Sequence, residues 1–185
     1  SFRLRAMPDF ATIPAALRAL RAGLPVLVLD DADRENEGDA VLAAETATAE
    51  WVGWMVRNTS GYLCAPLPAD VADRLGLPLM VADNADPLRT AYTVSVDAAV
   101  GVGTGISAAD RATTLRVLGN PDAGPNDLIR PGHVLPLRAR PGGVFERRGH
   151  TEATVDLCRL AGLAPVGAIG ELVDEAGGLL RTPEV

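Results

Sequence analysis

The feature that most constrains the fold is an apolar run over residues 24–29, which a strongly acidic segment over residues 30–39 follows directly. A run of this length and composition is typical of a strand buried on both faces. Helical and strand patterns are mixed through the rest of the chain, without a repeat, a linker or a shift in composition. The 185 residues are therefore predicted to form one α/β domain with a sizeable core.

Capping residues and apolar spacing predict the individual elements. Thr12 can cap a first helix that has Pro14 in its first turn and ends at Gly23. Ser107 and Asp110 have the spacing of a capping box ahead of a helix that stops near residue 119. Further helices are predicted over residues 50–57 and 151–160, and further strands over residues 62–67, 90–97 and 168–173.

The acidic segment is the first candidate site. It carries six acids and one arginine, so its ten residues hold five units of the chain's net charge of −7. Carboxylates this dense repel one another unless water, a cation or a ligand separates them. A solvated turn is one interpretation, but the segment begins where a strand ends, which favours a ligand site with Mg²⁺ or Mn²⁺. Counting a calcium loop from Asp33 puts Ala44 where a glutamate is needed, so an EF-hand is excluded.

Composition excludes several classes of protein. All 17 basic residues are arginine, which rules out mechanisms that need a lysine amine, such as imine chemistry or a Walker-type phosphate loop. The acidic balance and the lack of a basic cluster argue against a nucleic-acid partner. The apolar runs are too short to span a bilayer, and two distant cysteines suit a reducing compartment. We therefore expect a cytoplasmic protein without a membrane partner.

The two histidines, His133 and His150, are candidates for proton transfer or metal binding. His150 lies where the last helix is predicted to begin, in the segment Arg147, Arg148, Gly149, His150, Thr151. Helix amides, a threonine hydroxyl and two arginines could cradle a phosphate there, although Thr151 could equally serve only as a cap. For His133, which enters a strand, a structural hydrogen-bonding role is favoured by the residues alone.

Three further features of the sequence bear on function. Glu171 interrupts an apolar strand, so it must be paired, bound to metal or raised in pKa, which makes it an acid/base candidate. Cys64 has no nearby partners that would activate it and is expected to be a buried small hydrophobe. The glycines between Gly101 and Gly105 fail both nucleotide-binding fingerprints and are expected to form a tight turn.

Several long motifs, in order along nearly the whole chain, resemble 3,4-dihydroxy-2-butanone 4-phosphate synthase, an enzyme family of riboflavin biosynthesis. The motifs are DDADRENEGD, RNTSGYLCAPL, TAYTVSVDA, GVGTGISAADRATT, RPGHVLPLRARPGGV and GHTEATVDL. The resemblance implies an α+β domain with a mixed β-sheet and helices packed around it. It further implies a Mg²⁺-dependent lyase that converts ribulose 5-phosphate to 3,4-dihydroxy-2-butanone 4-phosphate and formate by enolisation, dehydration, carbon migration and formate loss.

The resemblance also implies roles for individual residues. Glu35 and His150 match the metal ligands, and His133 and Glu171 match residues essential for activity, which for His133 replaces the structural interpretation. Glu37 and Cys64 match further catalytic members of the pocket. Substrate contacts are expected from Glu35 and Glu171 as well, and from Arg34, Asp39, Arg147, Arg148, Gly149, His150 and Thr151.

The family further implies a homodimer with its sites near the interface. Two positions depart from the family pattern, since Gly170 stands where cysteine is common and residues 84–89 differ from the usual loop. Residues 1–185 are predicted to be a single synthase domain, with excision from a fusion with GTP cyclohydrolase II as one alternative. A non-catalytic relative that binds metal or sugar phosphate, or a metal-dependent sugar-phosphate isomerase or phosphatase, is the alternative function.

Overall fold

The structure is a computed structural model that describes residues 10–181. Its helices are α1 (Ile13–Arg21), α2 (Ala49–Asn58), α3 (Ala69–Arg74), α4 (Ala108–Leu118) and α5 (His150–Leu160). Its strands are β1 (Val26–Leu29), β2 (Gly38–Ala43), β3 (Cys64–Leu67), β4 (Val96–Ala98), β5 (Leu128–Arg138) and β6 (Gly167–Glu171). Short 3₁₀ turns cover Pro125–Asp127 and Gly143–Phe145.

The six strands form one mixed sheet in the order β1-β2-β6-β3-β5-β4. Only β3 and β5 run parallel, while the other neighbouring pairs are antiparallel. Side chains alternate across the sheet, so Leu42 packs with the cluster that contains α2, α3 and α4, whereas Val41 packs on the opposite face with α1 and α5. The predicted mixed sheet with helices around it is confirmed, and the helices form a layer on each face.

Local signals in the sequence located most helix starts correctly. The Thr12 hydroxyl accepts a hydrogen bond from the Ala15 amide, and the Ser107 hydroxyl accepts one from the Asp110 amide. The last helix begins at His150, with Gly149 at its N-cap and without a side-chain cap, so Thr151 does not cap it. Thr151 is instead buried in the first turn.

Two strand predictions need correction, and one strand was missed. The apolar run forms β1 at the edge of the sheet, where Leu27 is 49% exposed, so the strand is not buried on both faces. Its neighbour β2 was missed, although all six of its residues are buried, because its first residues belong to the acidic segment. The alternating residues 90–97 form a strand only from Val96, and the earlier ones make isolated bridges to Leu79 and Leu137.

The acidic segment is thus a connection between two antiparallel strands, not a loop at the end of a parallel strand. It leaves β1 at Leu29 and enters β2 at Gly38, and Asp39 already pairs with Glu171 of β6 in the sheet register. The helix α3 was also missed by the sequence reading. Since Val41, Ile169 and Cys64 share the face covered by α5, Asp39 and Glu171 project from that same face.

Candidate active site

A cleft opens on the α5 face of the sheet and collects most of the predicted site residues. The acidic connection forms one wall, and the first turn of α5 and the segment before it form another. Its lining residues are Arg34, Glu35, Asp39, Cys64, Thr90, Tyr92, Leu137, Arg147, His150, Thr151, Ile169 and Glu171. Sequence-distant segments therefore meet here.

Asp30 organises the acidic connection. Its carboxylate accepts hydrogen bonds from the amides of Glu35 at 3.0 Å and Glu37 at 2.9 Å, and from the Arg34 guanidinium at 3.0 Å. Burial would raise the pKa of Asp30, but these hydrogen bonds outweigh it and hold the pKa below its usual range. Asp30 therefore stays ionised and shapes the loop around Glu35.

The residues Asp30, Glu35 and His150 form a cluster that could hold a cation. One ligand atom from each lies within 4.8 Å of the others. Burial lowers the pKa of His150, which favours the neutral imidazole that a metal ligand requires. The structure brings together the predicted ligand pair Glu35 and His150, and it adds Asp30, which the sequence reading did not single out.

Two buried polar atoms beside this cluster have no hydrogen-bond partner among the described residues: Asp39 Oδ1 and His150 Nε2. Asp39 is only 2% exposed, and its Oδ2 lies 3.8 Å from His150 Nδ1. Burial, reinforced by the charges of Glu171 and Glu35, raises the pKa of Asp39 to about 8. Unpaired atoms and crowded carboxylates are the environment that a divalent cation with oxygen and imidazole ligands would relieve, so the residues present fit Mg²⁺.

Glu171 ends β6 at the edge of the cleft, half-buried. The Ser60 hydroxyl lies 2.6 Å from its Oε2. Cys64 lies in the same cleft, and burial, followed by the charge of Glu171, raises the pKa of its thiol. Cys64 is therefore a neutral lining group, in agreement with the expectation from its neighbours in the sequence.

Glu37 is not among the residues that line the cleft. Its side chain is partly buried, and burial together with the charge of Glu35 raises its pKa. Beside it, the Arg181 guanidinium donates hydrogen bonds to the carbonyls of Glu35 and Asn36, at 2.6 and 3.1 Å. Glu37 thus contributes to the charge of the site from its margin.

The residues predicted to bind phosphate, 147–151, line two neighbouring clefts. Arg147 and Thr151 line the cleft, and Arg147 is held by Glu152 at 2.8 Å and by the carbonyl of Leu88. The Arg148 side chain is 84% exposed and lies 3.8 Å from Asp31. Together with Gly149 it lines a neighbouring cleft that shares His150 with the first.

His133 is not placed in the cleft of its own chain. It lies on β5, where Asp97 of β4 accepts from its backbone amide at 2.9 Å and contacts its Nδ1 at 2.8 Å. The glycine-rich segment that follows β4 packs against this pair, since a Cβ on Gly105 would lie 2.1 Å from Asp97 Oδ2. The chain bends over residues 101–105, and the Gly105 amide donates to the Asp110 carboxylate at 3.0 Å; a hydrogen-bonded tight turn, as predicted for these glycines, is not seen there.

Four polar or aromatic residues at the site were missed by the sequence reading: Asp30 as a local organiser, Thr90 and Tyr92 as lining residues, and Ser60 as the partner of Glu171. Asp30 could have been found, because an acid that begins a turn often accepts from amides a few residues on. The other three become neighbours of the cleft only through pairing between distant segments.

Fold and site together define a class: a mixed-sheet α/β protein with a cleft suited to a divalent cation and an anionic small molecule. The chain belongs to the 3,4-dihydroxy-2-butanone 4-phosphate synthase family, whose sequence profile matches residues 14–185. This confirms the resemblance drawn from the motifs.

Individual relatives agree with this membership. The chain is 60% identical over 179 residues to the riboflavin biosynthesis protein RibBA of Salinispora arenicola, a match that covers 97% of this chain and 43% of that protein. It is 58% identical over 173 residues to a 3,4-dihydroxy-2-butanone 4-phosphate synthase of Pelobacter propionicus, covering 94% of this chain and 74% of that one. The chain spans less than half the length of the Salinispora relative.

Solved structures agree as well. A crystal structure of 3,4-dihydroxy-2-butanone 4-phosphate synthase in complex with two magnesium ions superimposes with a TM-score of 0.92 at 52% identity, covering 95% of this chain and 87% of that one. A two-domain synthase from A. baumannii matches with a TM-score of 0.89 at 41% identity, covering 94% of this chain and 51% of that one.

Proposed function

We propose that this protein is a Mg²⁺-dependent lyase that converts ribulose 5-phosphate to 3,4-dihydroxy-2-butanone 4-phosphate and formate. The observation that carries the proposal is one cleft that Glu35 and His150 line together with Glu171, Arg147 and Thr151. Asp30 lies beside it and completes the cluster with Glu35 and His150. Family membership supports the reaction, and the magnesium complex of a relative supports the metal. Mn²⁺ is the alternative ion for the same ligands.

Glu35 and His150 would hold the cation, with the Asp30 carboxylate next to them. When bound, the cation would polarise substrate oxygens and stabilise negative charge that develops on them. The two protein ligands leave coordination positions for the substrate. Asp39, whose Oδ1 has no protein partner among the described residues, could accept a hydrogen bond from a substrate hydroxyl.

Glu171 is positioned to remove and return protons, because its carboxylate lines the same cleft as Glu35 and His150. Arg147 and Thr151, at the positive end of α5, would bind the phosphate. Cys64 and Ile169 contribute apolar surface to the cleft lining and belong to the hydrophobic cluster beneath α5. The products contain together the same atoms as the substrate, so these residues need to supply only proton transfers and charge stabilisation.

Incubation with ribulose 5-phosphate and Mg²⁺, followed by assays for formate and for the phosphorylated product, tests this function. We expect stoichiometric formate that depends on Mg²⁺. Release of free phosphate, or formation of xylulose 5-phosphate without formate, would instead indicate a phosphatase or an isomerase. Absence of any reaction while the sugar phosphate still binds would indicate a non-catalytic relative.

We also propose that the protein is a homodimer in which His133 of one protomer completes the cleft of the other. His133 is 39% exposed in a single chain and lies outside its own cleft. Exposed apolar side chains lie near the same strand pair, among them Val100 at 78% and Ile129 at 51%. Such residues suit an interface between copies of the chain.

Mixing two inactive variants, His133→Ala and Glu171→Gln, tests the dimer. If His133 acts across the interface, each mixed dimer has one intact site, and random exchange should restore about a quarter of wild-type activity. If His133 acts within its own chain, mixing restores nothing. Sedimentation of the wild-type protein checks the dimer itself.

The remaining proposals concern the location of the protein, its partners and its domain organisation. Among the described residues, no helix combines the length and apolarity needed to cross a membrane. A cytoplasmic location, and the absence of nucleic-acid and membrane partners, remain predictions from composition. We further propose that the chain acts as a single synthase domain; its 43% coverage of the Salinispora relative is compatible with a longer protein that also carries a GTP cyclohydrolase II domain.

A further inference from the structure

We infer that Ser60 is a positioning residue that sets the orientation of the Glu171 carboxylate. Ser60 lies in the turn between α2 and β3, outside the set of site residues that the motifs indicated. Its hydroxyl oxygen is 2.6 Å from Glu171 Oε2, and its backbone amide donates to the Glu171 carbonyl at 2.8 Å. The two residues, 111 positions apart in sequence, therefore contact each other through both side chain and backbone.

The direction of the side-chain hydrogen bond follows from the neighbouring contacts. The Tyr62 amide donates to the same Ser60 oxygen at 3.2 Å. Because an ionised carboxylate can only accept, the one hydroxyl proton of Ser60 goes to Glu171. Within residues 10–181, Ser60 is the sole side chain that hydrogen-bonds the Glu171 carboxylate. One carboxylate oxygen is thus held, and rotation of the group is restricted.

The turn that carries Ser60 is itself fixed on several sides. Thr59 pairs with Leu172 in an isolated antiparallel bridge, and its hydroxyl donates to the Met55 carbonyl at 2.7 Å. The buried Arg111 side chain donates to the Gly61 carbonyl at 3.0 Å. The bridge attaches the turn to the residue after β6, and the other two contacts attach it to α2 and α4, so the backbone that carries Ser60 is fixed beside Glu171.

The consequence for catalysis is geometric. A carboxylate that transfers protons must present its oxygen within hydrogen-bond reach of the reacting group, and a freely rotating side chain does so only part of the time. Ser60 restricts that freedom and is not itself among the residues that line the cleft. This inference rests on the proposed function, in which Glu171 carries protons.

The variants Ser60→Ala and Ser60→Thr test the role in steady-state assays of formate release. Removing the hydroxyl should lower kcat about 10- to 100-fold while KM changes less than about twofold, because the cleft itself is unaltered. Threonine keeps the hydroxyl, and Ser60 is exposed enough to admit a methyl group, so Ser60→Thr should retain at least about half of the wild-type kcat. The matched control is Thr48→Ala at the other end of α2. The Thr48 hydroxyl accepts a hydrogen bond from the Trp51 amide at 3.3 Å, and its removal should leave kcat unchanged.

A double-mutant cycle shows whether Ser60 acts through Glu171. In a Glu171→Asp background the carboxylate is withdrawn from the hydroxyl, so Ser60→Ala should then cost less than about twofold. An equal loss in both backgrounds, or an unchanged kcat in Ser60→Ala, would overturn the inference. Failure of the wild-type protein to release formate would instead overturn the proposed function, and the two outcomes are distinct.

Discussion

The cation cluster at the cleft and the His133–Asp97 pair both consist of carboxylates and a histidine. They differ in whether the polar atoms of these side chains have hydrogen-bond partners. Around Asp39 and His150, two buried polar atoms have no partner within the described chain, and burial together with the charges of four other carboxylates raises the pKa of Asp39. At the other region, each oxygen of Asp97 contacts His133, one through the ring and one through the backbone amide. The first region has the groups that a bound cation would satisfy, whereas the second has its hydrogen bonds within the chain and positions a histidine that faces outward.

The comparison indicates that a buried carboxylate without hydrogen-bond partners and one with partners serve different functions. An orphaned buried carboxylate costs free energy that only a bound ion or ligand returns. A carboxylate with both oxygens engaged orients its partner at no such cost. We therefore expect changes in the cleft to alter metal dependence, and changes at Asp97 to alter turnover without altering metal affinity.

The largest effect is expected for Glu35→Gln. Losing the charged ligand should lower Mg²⁺-dependent formate release about 1,000-fold, because polarisation of substrate oxygens by a cation contributes several kcal/mol. Binding of Mn²⁺, followed by its electron paramagnetic resonance signal, should weaken in parallel while the melting temperature is preserved. Asp33→Asn makes the same change of charge at an exposed position of the same segment and should behave as wild type. Full activity of Glu35→Gln at ordinary Mg²⁺ would show that the ligand assignment is wrong.

Asp97→Asn tests the second region. The amide cannot hold the His133 ring as a carboxylate does, so kcat should fall about 100-fold. Mn²⁺ binding should remain at the wild-type value, since Asp97 is not part of the cation cluster. A combined loss of turnover and of metal affinity would contradict the separation between the two regions.

A smaller effect is expected for Arg181→Ala. Without hydrogen bonds to the carbonyls of Glu35 and Asn36, the acidic connection should become less ordered, and Mn²⁺ affinity should fall about tenfold. Arg159→Ala removes an arginine from the exposed end of α5, where it contacts Asp156 only at 3.9 Å, and serves as the control. Unchanged metal affinity in titration calorimetry would show that the loop holds its shape without Arg181.

The smallest effect on activity is expected for a change at Gly170, on the face of the sheet that α5 does not cover. A Cβ on Gly170 would lie 2.7 Å from Thr59 Oγ1, so Gly170→Ala should lower the free energy of unfolding by about 1–3 kcal/mol through overpacking. Denaturant titration measures this loss, and adding Thr59→Ala should return part of it. Activity per folded molecule should stay within about threefold, and a far larger loss would mean that this face contributes to the chemistry.

Much of the fold was accessible from local signals. Thr12 and Ser107 predicted two helix starts because a side-chain cap is a contact between residues three apart. β2 was missed because Asp39 looks like part of a solvated segment, although it is buried between β1 and β6. The exposure of Leu27 could not be predicted either, because an apolar run does not reveal whether its strand is central or at an edge.

For the site as well, some features could be predicted from the sequence and others could not. Its residue types, the acids of the 30–39 segment and the two histidines, were evident from charge density and scarcity, and their motifs pointed to the family. Which of them share a cleft was decided by tertiary structure: β2 and β6 bring Asp39 beside Glu171, and α5 brings His150 to Glu35, whereas His133 is placed elsewhere.

The sequence by itself therefore determined the chemistry available to this protein, namely carboxylates, imidazoles and arginines without a lysine amine. Only the tertiary structure decided which groups are neighbours, that Ser60 reaches Glu171, and that Asp39 is buried without a protein partner among the described residues. The physical reason is that composition and capping are local properties of the chain. Burial, electrostatic coupling and hydrogen bonds between distant segments exist only after the strands have paired.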